Sequence, residues 1–307
     1  MTVNEQPGAR LAAGLSAMTE TFERQAALAR ARTFLFVPAD RPERLAKALA
    51  SGADAVIVDL EDAVAPAAKA VAREAFRLAF AALDAASRAR VVLRVNSATS
   101  EWHGEDLELT ADLTLQGLGG LMLPKAEGAE ALHAVASACP GLPLFPLVET
   151  GEGFFGLDAI ARAPRVLRLS LGHLDLMADL SMEPSETQEA LAPARWALVL
   201  ASRRAGLAPP IDGVTPAIDD VEQLRRETHR ALHFGFGARL CIHPAQVAAV
   251  HLAMEPSAAQ VEWSARVLAA AAQAVQGAVM VDGKMVDAPV LRLARQLRAR
   301  SSVLNRL

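Results

Sequence analysis

Short β-branched or apolar runs recur along this chain, and each is followed by a stretch rich in Ala, Leu, Arg and Glu with helical spacing. The runs are Thr33–Pro38, Ala55–Glu61, Val91–Asn96, Gly120–Lys125, Leu144–Glu149, Val166–Gly172, Ile211–Thr215 and Arg239–Pro244. Helices are expected near 41–51, 67–86, 105–116, 128–138, 155–163, 185–205, 219–234 and 245–253. Strand and helix that alternate in this way imply a parallel sheet, because every strand must return to the same end. Eight units is the count that closes a barrel, and near-continuous apolar strands suit a sheet buried on both faces. The rival, an open doubly wound sheet, starts with a Gly-rich turn that Pro38–Pro42 lacks. The expectation is an α/β chain forming a (β/α)8 TIM barrel with a C-terminal helical extension.

The boundaries follow from the repeat. Residues 1–31 read as an N-terminal extension, partly helical, 32–254 as the catalytic barrel, and 255–307 as a lid or oligomerisation segment. That last segment comprises a helix over 257–277, the stretch Met280–Pro289 and a basic helix to about Arg300. With 31 Lys and Arg against 35 Asp and Glu, nothing in the charge calls for a polyanion, so nucleic acid is excluded as the main ligand. The mean hydropathy of +0.22 is spread through helices interrupted by charges. No apolar run approaches 18 residues, so no membrane span is expected. The apolar piece Leu11–Met18 is short and runs into a charged stretch, unlike a secretory signal. Cys139 and Cys241 form no C-x-x-C, which fits a reducing, cytoplasmic setting.

Active sites of such barrels lie at the C-terminal strand ends, and here those ends are polar: Asp59, Glu61, Asp62, Arg94, Asn96, Lys125, Glu149, Asp175, Asp212 and His243. Glu149 and Asp175 close adjacent strands, an arrangement suited to one hard divalent cation that keeps positions open for substrate oxygens. The competing reading makes each a solvated loop acid or a helix cap. Arg94 lies within a strand and needs an anionic partner, either a substrate carboxylate or a salt bridge to Glu61 or Asp62. Lys125 admits Schiff-base chemistry or simple pairing with an acid. His243 precedes a proline and reads as a backbone-shaping residue as readily as a base.

The runs Thr33–Pro38, Asp40–Arg44, Ser51–Val64, Leu93–Asn96, Leu123–Lys125, Val148–Thr150, Ile242–Gln246 and Gly283–Pro289 resemble, in order, the citrate lyase β-subunit-like branch of the HpcH/HpaI aldolase family. The resemblance covers about residues 32–300. It implies a barrel assembled as a homo-trimer or hexamer that binds Mg2+ and cleaves or forms carbon–carbon bonds in a coenzyme A thioester such as citryl-, malyl- or citramalyl-CoA. The products would be acetyl-CoA or propionyl-CoA and a 2-oxo acid. By motif position Glu149 and Asp175 are the metal ligands and Arg94 holds substrate oxygens, with Glu61 and Asp62 ordering water or orienting Arg94. Lys47 and the main chain at Ile242 and His243 contact CoA. Asp287 is the acid/base that a neighbouring subunit delivers. The chain departs from the pattern at Gly172-His-Leu-Asp175, where many relatives have Gly-Ala-Glu-Asp, and at Ala39, where glycine is common. Alternatives stay open: a CoA-independent pyruvate aldolase, an enzyme that adds thioester hydrolysis, and a carrier-dependent or non-catalytic subunit of a larger lyase complex.

Overall fold

The computed structural model describes residues 22–273 and 279–301 and divides into two compact units, 1–250 and 251–307. In the first unit eight parallel strands close into a barrel in sequence order. They are β1 (Thr33–Pro38), β2 (Ala55–Asp59), β3 (Val91–Arg94), β4 (Gly120–Leu123), β5 (Leu144–Val148), β6 (Ser170–Leu171), β7 (Ile211–Asp212) and β8 (Ala238–Cys241), and β8 returns to pair with β1. β6 and β7 are shorter than expected. Val166 makes only an isolated bridge to Leu144.

Alternate strand residues fill the barrel. Phe34, Ala55, Ile57, Val92, Met122, Phe145, Leu147, Ile211, Ala238 and Leu240 form one buried cluster, and Phe34 and Phe145 meet at 5.6 Å. Leu28 and Ala31 belong to the same cluster, so the described part of the N-terminal extension, a helix over 22–30, completes the core below the strands. Arg168 fastens it there. The residue is 1% exposed, and its guanidinium donates to the carbonyls of Ala31 at 2.6 Å, Leu28 at 3.2 Å and Pro209 at 2.7 Å. The rest of the extension lies outside the described residues.

Around the barrel run helices Glu43–Ala50, Lys69–Ala81, His103–Leu115, Ala129–Ala138, Ala192–Arg204, Val221–Phe234 and Pro244–Met254, close to the expected spans. Two short helices were not expected from the sequence, Gly151–Phe155 after β5 and His173–Asp179 directly after β6, and both are too short to show a periodic apolar face. The second unit holds helices Ala258–Gln273 and Ala288–Arg300 and a hairpin of Val279–Val281 with Lys284–Val286. Its turn residues Asp282 and Gly283 both take positive φ, as a tight two-residue hairpin requires. Val267, Val286 and Ala294 form its core, with Trp263 and Leu291 packed against them. No helix among the described residues is long and apolar enough to cross a membrane.

Candidate active site

Strand parity assembles the mouth. Side chains alternate along a strand, so Glu149 continues the inward face of Phe145 and Leu147. The same rule turns Asp59 inward after Ile57 and Arg94 inward after Val92, and the parallel register sets Asp59 opposite Arg94. Arg94 Nε and Nη2 donate to the two oxygens of Asp59 at 2.7 and 2.6 Å, a bidentate fork. Its Nη1 lies 2.8 Å from Glu61 and 3.5 Å from Asp62, and the guanidinium sits over the Phe36 ring at 4.9 Å. Burial opposes its charge, but Asp59 and Glu61 together hold it above the ordinary arginine value. Arg94 is therefore a fixed cation. Its salt bridge is formed, and the main partner is Asp59, a residue the sequence placed at the mouth without a role. Few of its five N–H groups remain for a ligand.

Glu61 links two cations, because its Oε1 accepts from Lys125 Nζ at 2.6 Å while Oε2 faces Arg94. Burial lifts its pKa above the usual carboxylate range even so. Asp62 stands on the rim, 62% exposed in its side chain. Lys125 carries its backbone in the left-handed region at φ 47, uncommon for a residue with a Cβ. From that bend its N–H donates to Glu149 Oε1 at 2.8 Å.

Glu149 is 2% exposed. Burial, reinforced by the charges of Glu61 and Asp175, pushes its carboxyl up to about 8. Asp175 occupies the first turn of helix His173–Asp179, so the loop acid of the sequence reading is a helical one. Gly172 makes room for the pair: a Cβ there would lie 2.6 Å from the Cβ of Glu149. Among the described residues no three His, Cys, Asp or Glu side chains converge as a ready metal cage. The buried Glu149 and the exposed Asp175 beside it still suit a hard cation such as Mg2+, which binds through one or two acids and keeps its waters. An acid held in so anionic a corner, with one hydrogen bond, is stabilised in its charged form by such an ion.

These groups open on a cavity of about 760 Å³ whose walls include Asp59, Arg94, Glu149 and Asp175. Lys47, Ile242 and His243 line it as well, together with Arg44, which sequence reasoning did not single out. The N–H groups of Ile242 and His243 already donate to Gln246 Oε1, at 2.9 and 3.3 Å, so the main chain there is held in place by the side chain of Gln246. His243 Nδ1 accepts from the N–H of Ala245 at 3.3 Å, the backbone-shaping role.

One expectation changes. Asp212 follows Ile211, which faces inward, so it turns outward and never reaches the mouth. It is fully buried between Arg195 at 3.3 Å and Arg239 at 3.0 Å, and Glu227 accepts from Arg239 at 3.1 Å. Asp287 belongs to the second unit, where it is exposed and caps helix Ala288–Arg300 by accepting from the N–H of Val290 at 3.1 Å. The sequence reading also passed over His173. It lines the cavity, is 2% exposed, and neither ring nitrogen has a hydrogen-bond partner. Burial lowers its pKa to about 4, with Arg195 and Arg239 reinforcing the shift against Asp212. Its ring fits because position 213 is glycine, where a Cβ would come within 2.8 Å of Cε1.

A closed parallel barrel with paired carboxylates and a fixed arginine at its C-terminal mouth defines the class, a barrel enzyme of the aldolase and lyase type. The chain belongs to the HpcH/HpaI aldolase/citrate lyase family, whose pattern matches residues 32–244. It is 35% identical over 276 residues to a (3S)-malyl-CoA thioesterase of Cereibacter sphaeroides, spanning 89% of this chain and 95% of that protein. It is 37% identical to a citrate lyase subunit beta-like protein of Mycobacterium tuberculosis over 273 residues, 87% and 94% of the two chains. Among solved structures it resembles the CitE protein of M. tuberculosis in complex with magnesium, acetoacetate and coenzyme A. That similarity has a TM-score of 0.77 at 37% identity over 89% of this chain and 98% of the other. The citrate lyase beta subunit of that organism, complexed with oxaloacetate and magnesium, matches with a TM-score of 0.65 at 37% identity, covering 75% and 99%.

Proposed function

We propose that this chain is a Mg2+-dependent carbon–carbon lyase that cleaves or forms a 3-hydroxyacyl-CoA ester of the malyl, citramalyl or citryl type. The observation that carries the reading is the buried Glu149 beside Asp175, facing a cavity walled also by the fixed Arg94. Glu149 and Asp175 hold the ion. When bound, the ion supplies Lewis acidity that lowers the pKa of the substrate's 3-hydroxyl and orients its carboxylate.

The chain's own groups do the rest. A base takes the proton of the hydroxyl, the bond between C2 and C3 of the acyl chain breaks, and its electron pair moves into the thioester as an enolate. The Arg94 guanidinium, fixed by Asp59, offers positive charge to the oxygens of the cavity without rearranging. Lys47 and Arg44 are the cavity cations that face the phosphates of coenzyme A. Asp287, brought by a second copy of the chain, protonates the enolate carbon in cleavage and removes that proton in condensation. One of its oxygens caps a helix, which fixes the direction of the other. Assembly of the chain with at least one further copy, the site shared between them, follows from that role.

The test follows the release of 2-oxo acid and acyl-CoA from malyl-, citramalyl- and citryl-CoA with Mg2+. Equimolar release, abolished by EDTA and absent in Glu149→Gln, is expected. Full activity of Glu149→Gln at limiting Mg2+ would refute the ligand assignment. Thioester hydrolysis is a second reading, supported by the relatives named for it. Free CoA in excess over acyl-CoA would favour it.

A further inference from the structure

Glu149 follows a strand of the closed barrel directly, but Asp175 stands on a helix of only seven residues, His173–Asp179. A helix this short does not hold itself together in water. Two like charges also work against it. Glu149 repels Asp175 across the mouth, and Asp179, four residues on, repels it along the helix. Of the helix's own side chains only His173 and Leu176 are buried. Contacts with the rest of the barrel must therefore set where Asp175 stands.

The helix is fastened at both ends. At its start the His173 ring lies against Gly213, where a Cβ would overlap Nδ1 and come within 2.8 Å of Cε1. The ring thus takes the space that a side chain at position 213 would fill. Neither of its nitrogens has a hydrogen-bond partner, so shape rather than polarity holds it there. At the other end Asp179 Oδ2 accepts from the N–H of Gly151 at 2.7 Å. Gly151 opens helix Gly151–Phe155 two residues after Glu149, so this bond joins the segment that carries one acid to the helix that carries the other. Residues four apart share a helix face, so the face tied to the end of β5 is the one that bears Asp175.

We propose that His173 and Asp179 are positioning residues that fix the separation of Glu149 and Asp175, the first as a wedge in the vacancy at Gly213 and the second as a strut to the Gly151 N–H. The inference rests on the metal reading of Glu149 and Asp175 given above. Neither residue needs to touch the ion. Their work is done beforehand: they hold two repelling carboxylates at a set distance, so an arriving cation meets both ligands in place.

The experiment is a calorimetric titration of the full-length protein with Mn2+, with circular dichroism and thermal melting on the same samples. Asp179 is exposed, so Asp179→Ala should keep the wild-type melting temperature while its Mn2+ affinity falls by about 10-fold or more. Asp179→Asn keeps an acceptor oxygen and should bind as wild type does. Gly213→Ala should also weaken Mn2+ binding, but should cost nothing further in a His173→Ala background, where the ring it displaces is gone. Wild-type affinity in either Asp179→Ala or Gly213→Ala overturns the proposal alone, as do equal losses in the two Asp179 variants or additive losses at positions 173 and 213. No Mn2+ bound by wild type overturns the metal reading and this inference with it.

Discussion

Gly172→Ala tests whether Glu149 works where the barrel sets it. The added Cβ would lie 2.6 Å from the Cβ of Glu149, whereas carbon atoms in contact rest about 3.5–4.0 Å apart. Rotation of the Glu149 side chain cannot relieve that contact, because its Cβ is fixed to the main chain at the end of β5. The strand end must therefore shift by about 1 Å, a displacement that costs on the order of 100-fold in turnover when it misplaces a catalytic group. Overpacking of this kind costs about 1–3 kcal/mol, which for a chain of this size lowers the melting temperature by roughly 2–10 °C. Gly128→Ala is the matched control. Its Cβ would also meet a glutamate at 2.6 Å, but at Oε2 of the exposed Glu130, which swings into solvent. Mn2+ affinity, lyase turnover and thermal melting are measured on both variants. Wild-type affinity and turnover in Gly172→Ala, or equal losses in the two variants, would refute the reasoning.

Arg168→Met should destabilise the barrel by about 3–5 kcal/mol in urea titration, because three buried carbonyls lose their charged donor; a loss under 1 kcal/mol would contradict the anchoring role. Burial pushes the Cys139 thiol up to about 11 and the Cys241 thiol up to about 12. Unfolded thiols ionise near pH 9, so above it the unfolded chain binds fewer protons and stability should fall with pH, by about 1.4 kcal/mol per unit for each thiol. Arg168, whose pKa burial lowers to about 9, adds a slope of opposite sign, so the thiol contribution is read as the difference between wild type and Cys139→Ala with Cys241→Ala, which should lack it. Mixing Arg94→Ala with Asp287→Ala protein should restore part of the activity that each lacks; inactive mixed oligomers, shown to contain both variants, would exclude a shared site.

The barrel was legible because its signal is repeated: eight apolar runs at helical separations leave few topologies, and all eight strands fall within or beside the expected runs. Glu149 was legible for a related reason, as a charge that closes an apolar strand. Asp59 and Asp212 look alike in the sequence, each ending a strand whose neighbour carries an arginine in register. Parity separates them. Asp59 shares the face of Ala55 and Ile57 and enters the mouth, while Asp212 takes the face opposite Ile211 and is buried under the helices with Arg195. Counting positions from the inward residues would have made that distinction; listing strand-end polar residues does not. His173 and its helix gave no such handle, since seven residues are too few for a period and the space for the ring is created by a glycine forty positions later.

The floor of the barrel separates two kinds of boundary. The family pattern begins at residue 32, where the chemistry-bearing strands begin, but the cooperative unit begins earlier, at the Leu28 and Ala31 that Arg168 clasps from the far side of the ring. Sequence kinship marks what relatives preserve, and burial marks what must be present for the ring to close dry. A gene trimmed to the kinship limits would encode every proposed metal ligand and still leave Phe34 and Phe145 open to water from below.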